Sequence, residues 1–191
     1  LGEAQHGHME AVGYDLYCKM LSEAVKEEKG EEVVTYFETT VDLSMDAYIP
    51  AGYIEDEGLK LDMYRRISLI LNEEDEENIY DELVDRFGDL PKSVQNLLFI
   101  ARLKALAHRA YVTEIKQKEQ EVVISFLPSG KLNPAHLPEL IERYQPLLEF
   151  SARKEAPAFH LYYTRNNKWP RSELADRLYE LLQEIYRQMV E

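Results

Sequence analysis

The sequence predicts an α+β fold: a helix-rich N-terminal half packed with a small, mostly antiparallel sheet and helices in the C-terminal half. Three observations carry this expectation. Apolar residues recur with the 3.6-residue period of helices from near the start of the chain to about residue 110. Beyond that point, short segments alternate apolar and polar side chains in the order strand, strand, helix, strand, strand, helix. A hydrophobic content of 45% over 191 residues is enough to build a core.

Each element has its own signal. Met9, Val12, Leu16, Met20 and Ala24 form one helical stripe, and Gly30 offers it a left-handed stop. Residues 31–38 read as a linker, and Thr39 to Leu43, rich in β-branched side chains, as a short strand. Ile49-Pro50 marks an extended arrival, because a residue before proline is pushed out of the helical region. From Asp56 onward, Leu59, Met63, Ile67 and Ile70 or Leu71 share one side of a helix, with Lys60, Arg65 and Arg66 off it. A second helix runs from Asp75 to Phe87 and stops at Gly88. Pro91 suits the first position of a third helix reaching about Ala110, since proline lacks only a donor that is orphaned there anyway. Its apolar set, including Val94, Leu97, Leu98, Ala101, Leu103 and Ala105, is wide enough to make it the central packing helix.

The second half changes period. Tyr111 to Ile115 and Val122 to Leu127 read as a β-hairpin without a strong turn signal. Leu137 to Tyr144 is a short helix with Pro134 and Pro138 at its start, and Leu147 to Ala152 and Ala158 to Tyr163 are extended. A last helix follows Pro170, with Leu174, Leu178, Leu181 or Leu182, Ile185 and Met189 along one face.

Charge and cysteine usage narrow the function. Lys and Arg number 22 against 36 Asp and Glu, a net charge of −14. Such a field repels phosphate backbones, makes the chain a poor candidate for gripping nucleic acid alone, and favours a basic protein partner. One cysteine, Cys18, excludes an intramolecular disulfide, and no apolar run approaches the roughly 18–20 residues that span a bilayer. A soluble cytoplasmic setting is expected. The chain opens on Leu1 rather than Met, as a piece of something longer does.

The sequence holds little that looks catalytic. It contains no G-x-x-x-x-G-K-[ST] loop, no G-x-G-x-x-G and no G-x-S-x-G elbow. Asp81-Glu82-Leu83-Val84 resembles an ATPase acidic box only superficially, because it lies inside an amphipathic helix instead of ending a buried strand. His6 and His8 near Glu10 lack a third ligand and a base; His108, His136 and His160 are isolated; Cys18 reads as a small buried hydrophobe. The acidic block Glu73 to Glu77 reads as a solvated helix start, where carboxylates suit the positive end of the dipole. The expectation is a segment with no catalysis, metal or cofactor of its own.

More informative is the Asp75–Phe87 helix. At about 100° per residue, Ile79, Leu83 and Phe87 fall within about 80° of arc, with Tyr80 and Val84 extending that face. Asn78, Asp81, Glu82 and Asp85 gather opposite, an acidic strip able to engage arginines of a partner through charge-assisted bonds. A competing reading places nucleic acid on a basic face of Arg65, Arg66, Arg102, Lys104 and Arg109; those residues also suit solubility and internal salt bridges.

Four stretches resemble the bacterial transcription-repair coupling factor (Mfd) family. Residues 1–10, LGEAQHGHME, continuing through Gly13-Tyr14-Asp15-Leu16-Tyr17, look like the tail of the translocation motif shared with RecG helicases and the helix after it. Ile49-Pro50, Tyr53-Ile54 and Leu61-x-x-Tyr64-Arg65-Arg66-Ile67 are similar to the opening of the family's C-terminal domain, with Lys60 where the family usually has Arg. Glu82-Leu83-Val84-Asp85-Arg86-Phe87-Gly88-x-Leu90-Pro91 is the most specific stretch, and Leu132-Asn133-Pro134 also fits.

The resemblance implies three parts: 1–30, the end of the translocation motif and its following helix; 31–48, a linker and short strand; and 49–191, a C-terminal regulatory domain, helical over 49–110 and ββαββα over 111–191. It implies a parent that is an ATP-driven double-stranded DNA translocase, with ATP and Mg bound upstream, which displaces stalled RNA polymerase and recruits UvrA. Within it this domain is a non-catalytic clasp that packs on a UvrB-like module, masks UvrA binding and restrains the motor until polymerase is engaged. The implied contact residues are Glu82 and Asp85, with Asp81 and Asn78 beside them, while Gln5 and Gly7 fall in the translocation-motif tail. DNA is reached through the upstream motor and not directly.

Overall fold

A computed structural model of the chain describes residues 36–165 and 169–190. The expected helix over 9–29, and with it Gln5, His6, Gly7, His8 and Cys18, lies outside the described residues. Tyr36 and Met45–Ala105 fall in one compact unit, and Phe37–Ser44 with the chain from Leu106 onward in a second.

Three helices build the first unit. Helix α1, Glu57–Ser68, starts where the Asp56 carboxylate accepts the Leu59 N–H at 2.8 Å, answering one of the donors a helix start leaves open. Its buried residues are Lys60, Met63, Tyr64 and Ile67. This corrects the expected stripe: Leu59 is 42% exposed and Lys60 takes its place. The lysine buries its hydrocarbon stem and brings its ammonium 3.4 Å from Glu57, as an amphipathic side chain can and a leucine cannot. Of the two alternatives after Ile67, Ile70 is buried and Leu71 is exposed.

Helix α2, Glu73–Phe87, starts two residues before the expected Asp75, because Asn72 is its cap. The Asn72 side chain accepts the Asp75 N–H at 2.9 Å, and the Asp75 carboxylate reaches back to the Leu71 N–H at 3.0 Å, a reciprocal closure of the first turn. At the other end Gly88 has φ 86° and ψ −168°, backbone that only glycine adopts readily. The Tyr53 hydroxyl sits 2.9 Å from the Gly88 carbonyl and 3.2 Å from that of Leu83, adding a donor where a helix end has spare acceptors.

Helix α3 is Lys92–Arg109. Pro91 stands just before it instead of at its first position, since the Pro91 carbonyl accepts from the N–H groups of Val94 and Gln95 and so serves as the cap. Val94, Leu97, Leu98 and Ala101 join Met63, Ile67, Ile79 and Leu83 in one buried cluster closed by Ile49, whose N–H donates to the Tyr64 hydroxyl at 2.9 Å. Each buried Val, Leu, Ile or Met side chain among them contributes about 1.5–3 kcal/mol by leaving water.

The second unit takes over at the last turn of α3 and carries a five-stranded sheet in the order β1-β2-β3-β5-β4. The strands are β1 Thr40–Asp42, β2 Val112–Gln117, β3 Val122–Phe126, β4 Leu148–Ser151 and β5 Ala158–Leu161. All neighbours are antiparallel except β1, which pairs parallel with β2. The register sets Val41, Ile115, Ile124, Phe159 and Phe150 in one row across the sheet. On the opposite face, Lys116, Val123, His160 and Glu149 form a more polar row. A bulge between Val112 and Glu114 lets both Val112 and Ile115 point inward, three residues apart, where strict alternation forbids it.

Helix α4, Leu137–Arg143, packs on β4 and on α5, Leu174–Met189. Pro138 opens α4 as expected, whereas Pro134 begins a separate 3-10 turn capped by Asn133. Both Leu181 and Leu182 of α5 are buried, with Leu174, Leu178, Ile185 and Met189.

Candidate functional site

The outward face of α2 is built by the same periodicity that sinks Ile79 and Leu83 into the core. Asn78, Asp81 and Asp85 are exposed, as are Glu74 and Glu77. Tyr80 and Val84 do not extend the buried face as expected: they are 41% and 36% exposed and form a short apolar ridge beside the carboxylates. The reason is width. The helix needs only Ile79, Leu83 and half-buried Phe87 to meet the core, and the ring of Tyr53, 5.9 Å from that of Phe87, fills the margin.

Glu82 stands apart from its neighbours. Arg66 of α1 grips it with both guanidinium ends, Nη1 toward Oε2 and Nη2 to Oε1 at 2.8 Å. Arg86, one turn along α2, adds a bond to Oε2 at 3.1 Å. The paired Arg66 guanidinium foremost, with Arg86 behind it, holds the Glu82 carboxyl below the usual carboxylate range. Glu82 is about one-third exposed (34%), its charge already balanced within the chain. Asp81 and Asp85 take part in no ion pair among the described residues.

The acidic start of α2 is likewise partly committed. Arg102 of α3 lies 2.7 Å from Glu73 and 2.8 Å from Glu76. Burial pushes the Glu76 carboxyl up, against the pull of Arg102. Arg65 meets Asp62 at 3.0 Å, and Arg109 lies over the Tyr186 ring at 5.5 Å. Of the five cations in the nucleic-acid reading, Arg65, Arg66 and Arg102 are therefore engaged with carboxylates of the chain.

Among the described residues no group of three or more His, Cys, Asp or Glu could hold a metal ion. The three isolated histidines have local partners: His108 with Thr39 at 3.1 Å, His136 with Glu139 at 3.6 Å and His160 with Glu121 at 2.8 Å. A cleft of about 340 Å³ in the second unit is lined by Arg143, Tyr144, Leu147, Trp169, Arg177 and Glu180. Its Arg143 is bound to Glu184 at 2.8 Å, and Arg177 lies over Trp169 at 5.7 Å. No helix among the described residues is long and apolar enough to cross a membrane.

Sequence reasoning read the α2 face as exposed and acidic and allowed Arg66 an internal salt bridge, but did not give Glu82 as its partner. The i,i+4 spacing of Glu82 and Arg86 was a readable signal for part of that pairing. Nothing in the spacing of Arg66 and Glu82, sixteen residues apart on different helices, announces the rest.

Comparison with known proteins agrees with this architecture. The family described as "TRCF domain" matches residues 43–137. A transcription-repair-coupling factor of Bacillus subtilis (strain 168) is 42% identical over 147 residues, covering 75% of this chain and 12% of that protein. One from Staphylococcus haemolyticus (strain JCSC1435) is 36% identical over 174 residues, covering 88% of this chain and 15% of that protein. The chain thus spans 12% to 15% of the length of these curated relatives. A crystal structure of a C-terminal domain of transcription-repair coupling factor superposes with a TM-score of 0.61 at 24% identity, over 82% of this chain and 98% of that one, a likeness of fold.

Proposed function

Because this chain belongs to the TRCF domain family through residues 43–137, we propose that it is a non-catalytic regulatory module of a transcription-coupled repair translocase. It docks by the α2 face on a UvrB-like module of the same parent protein. Docked, it masks the surface that binds UvrA and restrains the ATP-driven motor until RNA polymerase is engaged. ATP and Mg belong to the upstream motor, through which DNA is reached.

The observation that carries the reading is the exposed carboxylate row of α2, with Asp81 and Asp85 balanced by no cation of the described chain. Charge-rich contacts of this kind hold modules together yet let them part, unlike a large apolar seam. A clasp that must open needs a closed form favoured by only about a few kcal/mol, and surface carboxylates meeting arginines supply energies of that order. Gln5 and Gly7 are assigned to the tail of the translocation motif on sequence resemblance alone.

The test is charge reversal in the full-length parent. Replacing Glu82 and Asp85 together by arginine is expected to loosen docking and raise UvrA capture severalfold, read by pull-down or by titration of labelled UvrA. Capture equal to that of the parental protein overturns the assignment.

A further inference from the structure

The cleft of about 340 Å³ in the second unit combines aromatic rings with a loosely held cation. Tyr144, at the end of α4, and Trp169, ahead of α5, meet edge to face, their centroids 6.3 Å apart and their planes at 88°. Leu147, 1% exposed, adds an apolar wall. Ring faces carry partial negative charge and attract cations. One is already in place: the Arg177 guanidinium lies over the Trp169 ring at 5.7 Å. Its carboxylate partners, Glu173 at 3.5 Å and Glu180 at 3.7 Å, are both farther than a charge-assisted bond of about 2.7–2.9 Å. The side chain is also 44% exposed, so these pairs hold it weakly. Arg143, by contrast, is bonded to Glu184 at 2.8 Å.

The charge balance decides which sign of guest the cleft favours. The carboxylates within ion-pair reach of the two lining arginines are Glu139, Glu173, Glu180 and Glu184. Against them stand the guanidiniums of Arg143, Arg177 and Arg187, the last sharing Glu184, which leaves one negative charge in excess among the described residues. The Tyr144 phenol registers the same sign: burial first, then Glu184 and Glu180, push it up against the pull of Arg143 and Arg177. The net charge of −14 adds attraction for cations at longer range. We propose that this cleft receives a Lys or Arg side chain from a basic peptide segment of a partner, which takes the place over Trp169 that Arg177 now holds. Arg177 is then an internal stand-in, and Glu180 the carboxylate that meets the incoming cation. The inference uses the second unit alone and stands whether or not α2 docks.

Trp169 is the sole tryptophan of the chain, so its emission reports occupancy directly. Titration with the capped peptide Gly-Arg-Gly-Lys-Gly should give a saturable change in that emission, and Gly-Glu-Gly-Glu-Gly none. Arg177→Gln should tighten binding about twofold to fivefold by removing the stand-in, while Arg171→Gln, which removes the same charge outside the cleft lining, should leave it unchanged. Trp169→Ala, followed by calorimetry, should weaken binding by about the same factor although no charge is altered. Glu180→Gln should weaken it too, and circular dichroism checks that each variant is folded. Equal affinity of Trp169→Ala and the native chain would mean general attraction to an acidic surface and overturns the proposal. So does weaker binding by Arg177→Gln, an emission change with the acidic peptide in place of the basic one, or no change with either.

Discussion

At the scale of residues, the first unit shows how one burial choice changes a side chain's acid–base behaviour. Glu82 and Glu76 lie on the same helix, and their carboxyls are shifted in opposite directions. A carboxyl depressed in the fold adds stability that is present above the ordinary carboxylate range and is lost as pH falls through its folded value. Glu82, depressed first by the Arg66 bond, does this. A carboxyl raised in the fold does the reverse: its contribution is fully present below the unfolded value and is lost as pH rises through the folded one. Glu76, raised first by burial, does this. Thermal unfolding followed against pH should therefore show E82Q flattening the loss of stability on the acid side of the carboxylate range. E76Q should flatten the loss that accompanies ionisation just above that range. Parallel curves for E82Q and the native chain would mean that the Arg66 pair does not persist in solution.

Among the elements, α2 depends most on its ends. Fifteen residues with eight carboxylates have a weak intrinsic reason to remain helical, and four of those carboxylates crowd the first turn. The Asn72 cap and its reciprocal Asp75 bond close that turn, so Asn72→Ala should cost about 1 kcal/mol. At the far end, a Cβ at Gly88 meets no atom within 4 Å, so the backbone angle is the whole obstacle. Gly88→Ala should cost about 1–3 kcal/mol through strain alone. Chemical denaturation measures both. On the docking role proposed above, in which the caps hold the exposed carboxylates in register, each variant should also loosen docking, and a normal UvrA capture would separate the cap from the face. The periodicity of α2 made its inner face legible from the sequence, as the stripe of α5 made Leu178 and Ile185 legible. Lys60 was not legible, because a pattern of apolar letters cannot register a lysine that buries its stem.

For the whole molecule, the net charge of −14 outweighs any local basic residue at the distance of a nucleic acid backbone. The isolated chain should therefore show no salt-dependent binding to duplex DNA at about 0.1 M salt, where the Debye length is about 10 Å. An affinity that falls with added salt would revive the role of Arg65, Arg102, Lys104 and Arg109. The topology also carries a feature that strings of letters hide. The chain lays down β1 at residues 40–42, leaves to build the helical unit, and returns at residue 112 to place β2 beside it in parallel. A short strand inside a linker reads correctly as a strand but not as a member of a sheet, because its partner is some seventy residues away.

By itself the sequence determined the helix and strand periods, the overall acidity and the existence of a polar face on α2, since each depends on composition or on neighbours a few positions apart. Only the tertiary structure decided which carboxylates on that face are free. Arg66 reaches Glu82 because α1 and α2 share a core, and an ion pair across that core withdraws one acid from the strip while leaving Asp81 and Asp85 to face water. Electrostatic availability is a property of distances through space, and periodicity along a single helix does not contain them.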